Sequence, residues 1–137
     1  MIFLDANVVS ELMRQRPDPA IVAWLERHDA EIALSTVVIG EIAFGIAKIH
    51  PQQRARRLID DFHDLRRRYA DRIFSFTEPA ALAYGKLMGE RKLAGRPMSV
   101  PDAMIAAIAR IHEAPLATRN IPDFQDAGLE LLSPWDA

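Results

Sequence analysis

The chain has 137 residues and a mass of 15.4 kDa; half of its residues are hydrophobic and none is cysteine. This length predicts a single domain over 1–137 with a real core, and the lack of cysteine excludes disulfide frameworks, zinc ribbons and thiol catalysis. Seventeen Lys and Arg against nineteen Asp and Glu give a net charge of −2, which by itself predicts neither a polyanionic nor a polycationic partner.

Short apolar segments alternate with helical patterns along the chain. The hydrophobic pattern predicts strands over 2–4, 32–34, 73–76, 115–118 and 129–132, and helices over 8–13, 19–28, 37–49, 52–70, 78–93 and 102–112. The strands show no alternation of polar and apolar residues, as is typical of a parallel sheet covered on both faces. We therefore predict a three-layer α/β/α domain with a central parallel sheet of four to five short strands.

The charge-free runs are too short for a membrane span, which needs about 20 apolar residues. At the N-terminus, Asp5 interrupts the apolar residues before a segment of signal-peptide length can develop. We therefore expect no membrane segment and no export signal, and a cytoplasmic location.

Three acidic residues, Asp5, Glu41 and Asp102, stand in apolar surroundings, unlike the other acids of the chain. An ionised carboxylate removed from water costs several kcal/mol unless a positive or hydrogen-bonding group compensates it. A divalent cation would compensate all three, since carboxylate oxygens are the ligands that Mg²⁺ and Mn²⁺ prefer.

Each of these acids also has a structural explanation. Asp102 follows Ser99 by three residues, as in a helix capping box, Asp5 or Asn7 can cap the first helix, and Glu41 can face solvent. For each residue taken singly the structural explanation is favoured. Their joint placement after the first strand, after the second and before the fourth favours convergence at one edge of the sheet, where α/β proteins bind ligands.

Four blocks of the sequence resemble the motifs of PIN-domain nucleases, in particular VapC-type bacterial toxins and their FitB-like relatives. They cover 2–7, 35–42, 101–107 and 117–124, in the family's order and at similar spacing. The resemblance implies a metal-dependent endoribonuclease that uses Mg²⁺ or Mn²⁺, cleaves RNA, forms a homodimer and is inhibited by a small cognate antitoxin.

The same resemblance implies roles for individual residues. Asp5, Glu41 and Asp102 would be the principal acidic residues of the metal site. The fourth position of the site is open between Asn120 and Asp123, both of which ordinary turn chemistry also explains.

Three further residues are predicted to serve the substrate. Arg119 and Arg96, in loops beside the acidic motifs, are the predicted substrate contacts, and the hydroxyl of Thr118 is placed to orient a carboxylate or a phosphate. The arginine-rich segment 53–72 is a weaker candidate, because four Asp are interleaved with its seven Arg and favour an exposed helix face with i, i+4 ion pairs.

Two rival functions remain open. A phosphatase-like phosphoryl-transfer domain also places acids at strand ends, but Asn7 stands where one such class has a second aspartate, and no lysine follows the fourth strand. A non-catalytic PIN-like module would use the carboxylates to bind a basic partner segment. Metal-dependent cleavage of RNA separates the nuclease from that module.

Overall fold

Five short strands form the sheet in the computed structural model, which describes residues 1–136. They are β1 Ile2–Leu4, β2 Ile32–Ser35, β3 Ile73–Phe74, β4 Leu116–Ala117 and β5 Leu131–Leu132. All neighbouring pairs are parallel, and the spatial order is β3-β2-β1-β4-β5. The predicted parallel sheet flanked by helices is therefore confirmed.

The strand order determines where a ligand-binding crevice forms. From central β1 the chain builds outward to β2 and β3, then returns to add β4 and β5 on the other side. In open α/β sheets the crevice lies beyond the carboxyl ends of the strands at which this direction changes, here β1 and β4. Asp5 follows β1 and Thr118 follows β4, and the Asp5 amide donates to the carbonyl of Ala117 at 2.9 Å.

Seven helices connect the strands. They are α1 Ala6–Leu12, α2 Pro19–His28, α3 Thr36–Ala47, α4 Arg56–Arg68, α5 Glu78–Leu93, α6 Val100–Ile111 and α7 Ile121–Phe124. Five of them begin after a side chain that accepts a hydrogen bond from the first turn, namely Asp5, Asp18, Ser35, Thr77 and Ser99. These caps satisfy amides that have no partner within the helix, and so define where each helix starts.

The core lies between the sheet and the helices. Phe3 and Leu4 of β1 and Ile32 and Leu34 of β2 are at most 1% exposed. The segment 105–109 of α6 is buried throughout, because its alanines allow the helix to approach its neighbours closely. No helix among residues 1–136 combines the length and the apolar character needed to cross a membrane.

Several element boundaries differ from the predicted ones. Residues 52–55 form a 3₁₀ turn before α4, since no side chain caps the amides at that point. The strand predicted over 73–76 ends at Phe74, and those predicted over 115–118 and 129–132 shrink to two residues each. In each case the paired ladder covers two residues, and a polar residue follows it: Ser75 after β3, Thr118 after β4 and Ser133 after β5.

Candidate active site

Asp5 is the most deeply buried acid of the crevice, with 5% of its surface exposed. Its Oδ1 accepts from the Ala6 amide at 2.8 Å, and its Oδ2 accepts from the Thr118 hydroxyl at 2.7 Å. Burial is the main cause that raises the pKa of Asp5, and the negative charge of Asp123 raises it further. The hydrogen bonds from Thr118, Ala6 and Asn7 lower it. The carboxylate is therefore held in one orientation although it is removed from water.

Asn7 connects the two strand ends. Its amide nitrogen donates to Asp5 Oδ2 at 3.1 Å and to the Thr118 hydroxyl at 3.4 Å, and its Oδ1 accepts from the Arg119 amide at 3.1 Å. Sequence reasoning considered Asn7 only as a helix cap or as a departure from another family. The available signal was the Asp-x-Asn spacing directly after a buried strand, which allows both side chains to face the crevice.

Glu41 reaches the same region from the second turn of α3. Its neighbour Ile42 packs into the core, while Glu41 is half-buried and its Oε1 is a buried atom with no hydrogen-bond partner among residues 1–136. The pKa of Glu41 is raised first by burial and then by the negative charges of Asp5 and Asp102. An oxygen that is buried, unpartnered and repelled by like charges is a position suited to a cation.

Glu41 also borders a groove of about 610 Å³ between α1, α3 and the start of α4. Met13, Ile42 and Ile46 supply apolar walls, and the side chains of Arg14 and Arg57 stand on its rim. Of the acids in the crevice, Glu41 is the one that the groove lining includes, so the groove meets the crevice at that carboxylate.

Asp102 lies in the first turn of α6, where its amide donates to the Ser99 hydroxyl at 3.3 Å. Its backbone thus belongs to the helix cap, as the capping explanation required. Burial is the main cause that raises the pKa of its carboxyl, with the charges of Asp5 and Asp123 acting in the same direction and Ser99 against it. The carboxylate therefore contributes charge to the crevice while the backbone completes the cap.

The two candidates for the fourth position behave differently. Asp123 lies in the first turn of α7, and its charge acts on both Asp5 and Asp102. Asn120 is exposed, and its backbone amide donates to the Thr118 hydroxyl at 3.0 Å, while its side chain does not cap α7. The charge of Asp123 thus acts on the other acids of the crevice, whereas Asn120 contacts the site through its backbone hydrogen bond to Thr118.

We use the term acidic cluster for Asp5, Glu41, Asp102 and Asp123. Within residues 1–136, no three His, Asp or Glu side chains stand close enough to one another to enclose a metal ion directly. Mg²⁺ is characteristically bound by one or two carboxylates together with several waters, and the residues of the cluster could supply such carboxylates. The unpartnered Oε1 of Glu41 and the hard oxygen donors of the cluster both fit such an ion.

The predicted substrate contacts have different surroundings. Arg119 is exposed beside the crevice, and its guanidinium lies over the Trp135 ring at 5.0 Å from the ring centroid. Arg96 is ion-paired with Asp126, which partly neutralises its charge and lowers the pKa of Asp126.

The arginine-rich helix α4 shows the expected self-pairing in part. Arg57 pairs with Asp61 at 2.8 Å, as the spacing predicts, and also donates to the carbonyl of Met13 at 2.9 Å. Arg68 instead pairs with Asp29, in the 3₁₀ turn that follows α2, at 2.8 Å. No pair between Arg56 and Asp60 is seen in the described part of the chain.

Comparison with known proteins places this arrangement in context. The PIN domain family model matches residues 2–128. A VapC ribonuclease from Sinorhizobium fredii is 34% identical, with 99% of each chain covered. The crystal structure of FitAcB from Neisseria gonorrhoeae superposes with a TM-score of 0.92 at 31% identity over 100% of both chains. A toxin-antitoxin complex from Klebsiella pneumoniae superposes with a TM-score of 0.68 at 26% identity over 98% of both chains.

Proposed function

This chain belongs to the PIN-domain family of VapC and FitB toxins, and we propose that it is a metal-dependent endoribonuclease that acts as the toxin of a toxin–antitoxin pair. The observation that carries the proposal is the acidic cluster at the crevice between β1 and β4. Burial raises the pKa of Asp5, Glu41 and Asp102, and the negative charge of at least one other member of the cluster adds to each rise. A protein with no chemical use for these groups gains nothing from bringing like charges together in a partly buried site.

Asp5, Glu41 and Asp102 would hold the ion, with Asp123 and waters completing its surroundings. A bound Mg²⁺ or Mn²⁺ supplies Lewis acidity, lowering the pKa of a bound water and stabilising the charge that develops on the phosphodiester. Thr118 and Asn7 donate hydrogen bonds to Oδ2 of Asp5 and so hold this carboxylate in a fixed orientation.

Glu41 is the best candidate for proton transfer. Its Oε1 has no hydrogen-bond partner among residues 1–136, and burial together with the charges of Asp5 and Asp102 raises the pKa of its carboxyl. Both properties favour a carboxylate that accepts a proton from the attacking water. Asn120 then supports the site indirectly, through the hydrogen bond from its amide to Thr118.

The experiment is cleavage of RNA by purified protein in Mn²⁺ or Mg²⁺, with a chelator as the comparison. We expect cleavage that the chelator abolishes and that Asp5→Asn lowers by at least about a hundredfold, since the change removes one charge from the site and unbalances its hydrogen bonds. Equal rates for Asp5→Asn and wild type would reject the assignment. Absence of cleavage by wild type, together with tight binding of a basic peptide, would favour the interaction module.

The partner proposal rests on the relatives and on charge. A small antitoxin that inserts a basic side chain into the acidic cluster would neutralise it, since a guanidinium can bind carboxylates bidentately. We also propose a homodimer, for which Phe44 on α3 and Leu82 on α5 are exposed apolar residues available for contact, at 68% and 70% exposure. Light scattering of the chain alone and of the chain with its antitoxin tests both proposals.

A further inference from the structure

Three neighbouring strands deliver side chains to the same edge of the sheet. β1 is followed by Asp5 and Asn7, β4 by Thr118 and Arg119, and β5, which pairs with β4, is followed by the 3₁₀ turn 134–136 that contains Trp135. The amide of Thr118 donates to the carbonyl of Leu132 at 2.9 Å, so the last two segments leave the sheet side by side.

Trp135 is anchored in the fold. Pro134 beside it is buried, the indole packs against the core, and the turn 134–136 packs against α2. The exposed guanidinium of Arg119 lies over this fixed ring at 5.0 Å from the centroid, within the range of a cation–π contact. The side chain of Arg119 is thereby restricted to the region next to Trp135.

The backbone of Arg119 is fixed as well. Its amide donates to Asn7 Oδ1, and Asn7 donates to Asp5 Oδ2. Arg119 is therefore attached at its backbone to the acidic cluster and at its guanidinium to Trp135. A cation–π contact does not use the hydrogen-bond donors of a guanidinium, so the N–H groups of Arg119 remain available for a phosphate.

We propose that Trp135 is a positioning residue that holds Arg119 beside the acidic cluster, where Arg119 binds a phosphate of the RNA substrate. The role rests on the proposed ribonuclease function and specifies its substrate contact. It also answers an electrostatic difficulty, because a cluster of carboxylates repels RNA unless a fixed cation offsets the repulsion.

The test measures binding of a short fluorescein-labelled single-stranded RNA by anisotropy, between about 50 and 200 mM salt. All proteins carry Asp102→Asn and contain Mg²⁺, so that the RNA is not cleaved during the measurement. Arg119→Ala should reduce the slope of log affinity against log salt by about 0.7, the value for one phosphate contact on a single strand. Trp135→Ala should weaken binding about two- to fivefold, and Trp135→Phe, which keeps a ring, should weaken it less.

Coupling between the two residues separates positioning from general stability. In the Arg119→Ala background, Trp135→Ala should cause no further loss of affinity, because its effect is exerted through Arg119. Arg27→Ala is the matched control, since it removes the same charge from an exposed site at the end of α2, on the side where β2 begins. It should leave the salt slope unchanged.

Two results would overturn the proposal: an unchanged salt slope for Arg119→Ala, or losses from Trp135→Ala and Arg119→Ala that multiply in the double variant. If Trp135→Ala does not fold, Trp135→Phe in the presence and absence of Arg119→Ala gives the same coupling. In the background with Asp102 intact, cleavage assays should show a raised KM and a nearly unchanged kcat for Trp135→Phe. A wild-type protein that binds RNA as described but never cleaves it would reject the ribonuclease function and leave this contact standing.

Discussion

Replacing Glu41 by Gln separates the catalytic value of the acidic cluster from its cost in stability. Gln has nearly the shape of Glu and removes one negative charge. Glu41 Oε1 has no hydrogen-bond partner in the described part of the chain, so the substitution breaks no hydrogen bond at that atom. Because burial and the charges of Asp5 and Asp102 raise the pKa of Glu41, the folded protein binds a proton at this site more tightly than the unfolded chain does.

The sign of the stability effect follows from that difference. A group with a raised acidic pKa lowers the free energy of unfolding as pH rises through the interval between its unfolded and folded pKa values. Two like-charge interactions in a partly exposed site cost a few tenths of a kcal/mol to about 1 kcal/mol together. Glu41→Gln should therefore raise the melting temperature by about 2–5 °C at pH 7 in chelator, for a domain of this size.

The assay is thermal unfolding from pH 4 to pH 8 in chelator, in parallel with RNA cleavage in Mn²⁺. The stabilisation should vanish at acidic pH, where Glu41 is protonated, while cleavage at neutral pH should fall by about two orders of magnitude. Glu130→Gln, an exposed change just before β5, is the matched control and should alter neither quantity. A variant less stable than wild type at pH 7, or one that cleaves normally, would refute the reasoning.

Further predictions concern the groups that support the site and the fold. Thr118→Val removes the 2.7 Å hydrogen bond to Asp5 and should reduce cleavage about tenfold with the fold retained, as circular dichroism and cleavage rates would show. Ser99→Ala should lower the free energy of unfolding in urea by about 1 kcal/mol, because it removes the cap of α6. Burial, and then the hydrogen bond to Asp29, raise the pKa of Tyr69 to about 12. The free energy of unfolding that this raised pKa contributes should be present below pH 10 and lost as pH rises from about 10 to 12. Tyr69→Phe should remove the step in tyrosinate absorbance near pH 12. An absorbance step unchanged by Tyr69→Phe would contradict that assignment.

Much of the fold was predictable because apolar strands and capped helices leave local signals. Buried strands such as β1 and β2 appear in the sequence as short apolar runs. Asp18 and Ser99 are residue types that favour helix N-caps, and in the structure they cap α2 and α6. Strand lengths at the sheet edges were not predictable from the same signals. Pairing in the folded sheet decides where a strand ends, and the two-residue pairing of β4 with β5 includes neither Pro115 nor Thr118, which the sequence pattern places in the same strand.

Asp5, Glu41 and Asp102 were predictable for a related reason, since each interrupts an apolar run: Asp5 where β1 ends, Glu41 within α3 and Asp102 in the first turn of α6. Asn7 and Trp135 were not, because their contributions are contacts to other side chains that no local pattern records. Ordinary turn or core chemistry accounts for both residues when the sequence is considered alone. The arrangement of β1, β4 and β5 is required to bring them to the same place.

Structural and functional explanations of Asp5 and Asp102 turn out to be compatible rather than exclusive. Asp5 caps α1 through Oδ1, while its Oδ2 accepts hydrogen bonds from Thr118 and Asn7. The amide of Asp102 completes the cap of α6, while the negative charge of Asp5 raises the pKa of the Asp102 carboxyl. In a parallel sheet, helix N-termini stand near the carboxyl ends of strands, so residues that favour helix starts also face the ligand crevice. A capping acid at such a position is therefore poor evidence against a catalytic role, and only its charge coupling to other acids distinguishes the two cases.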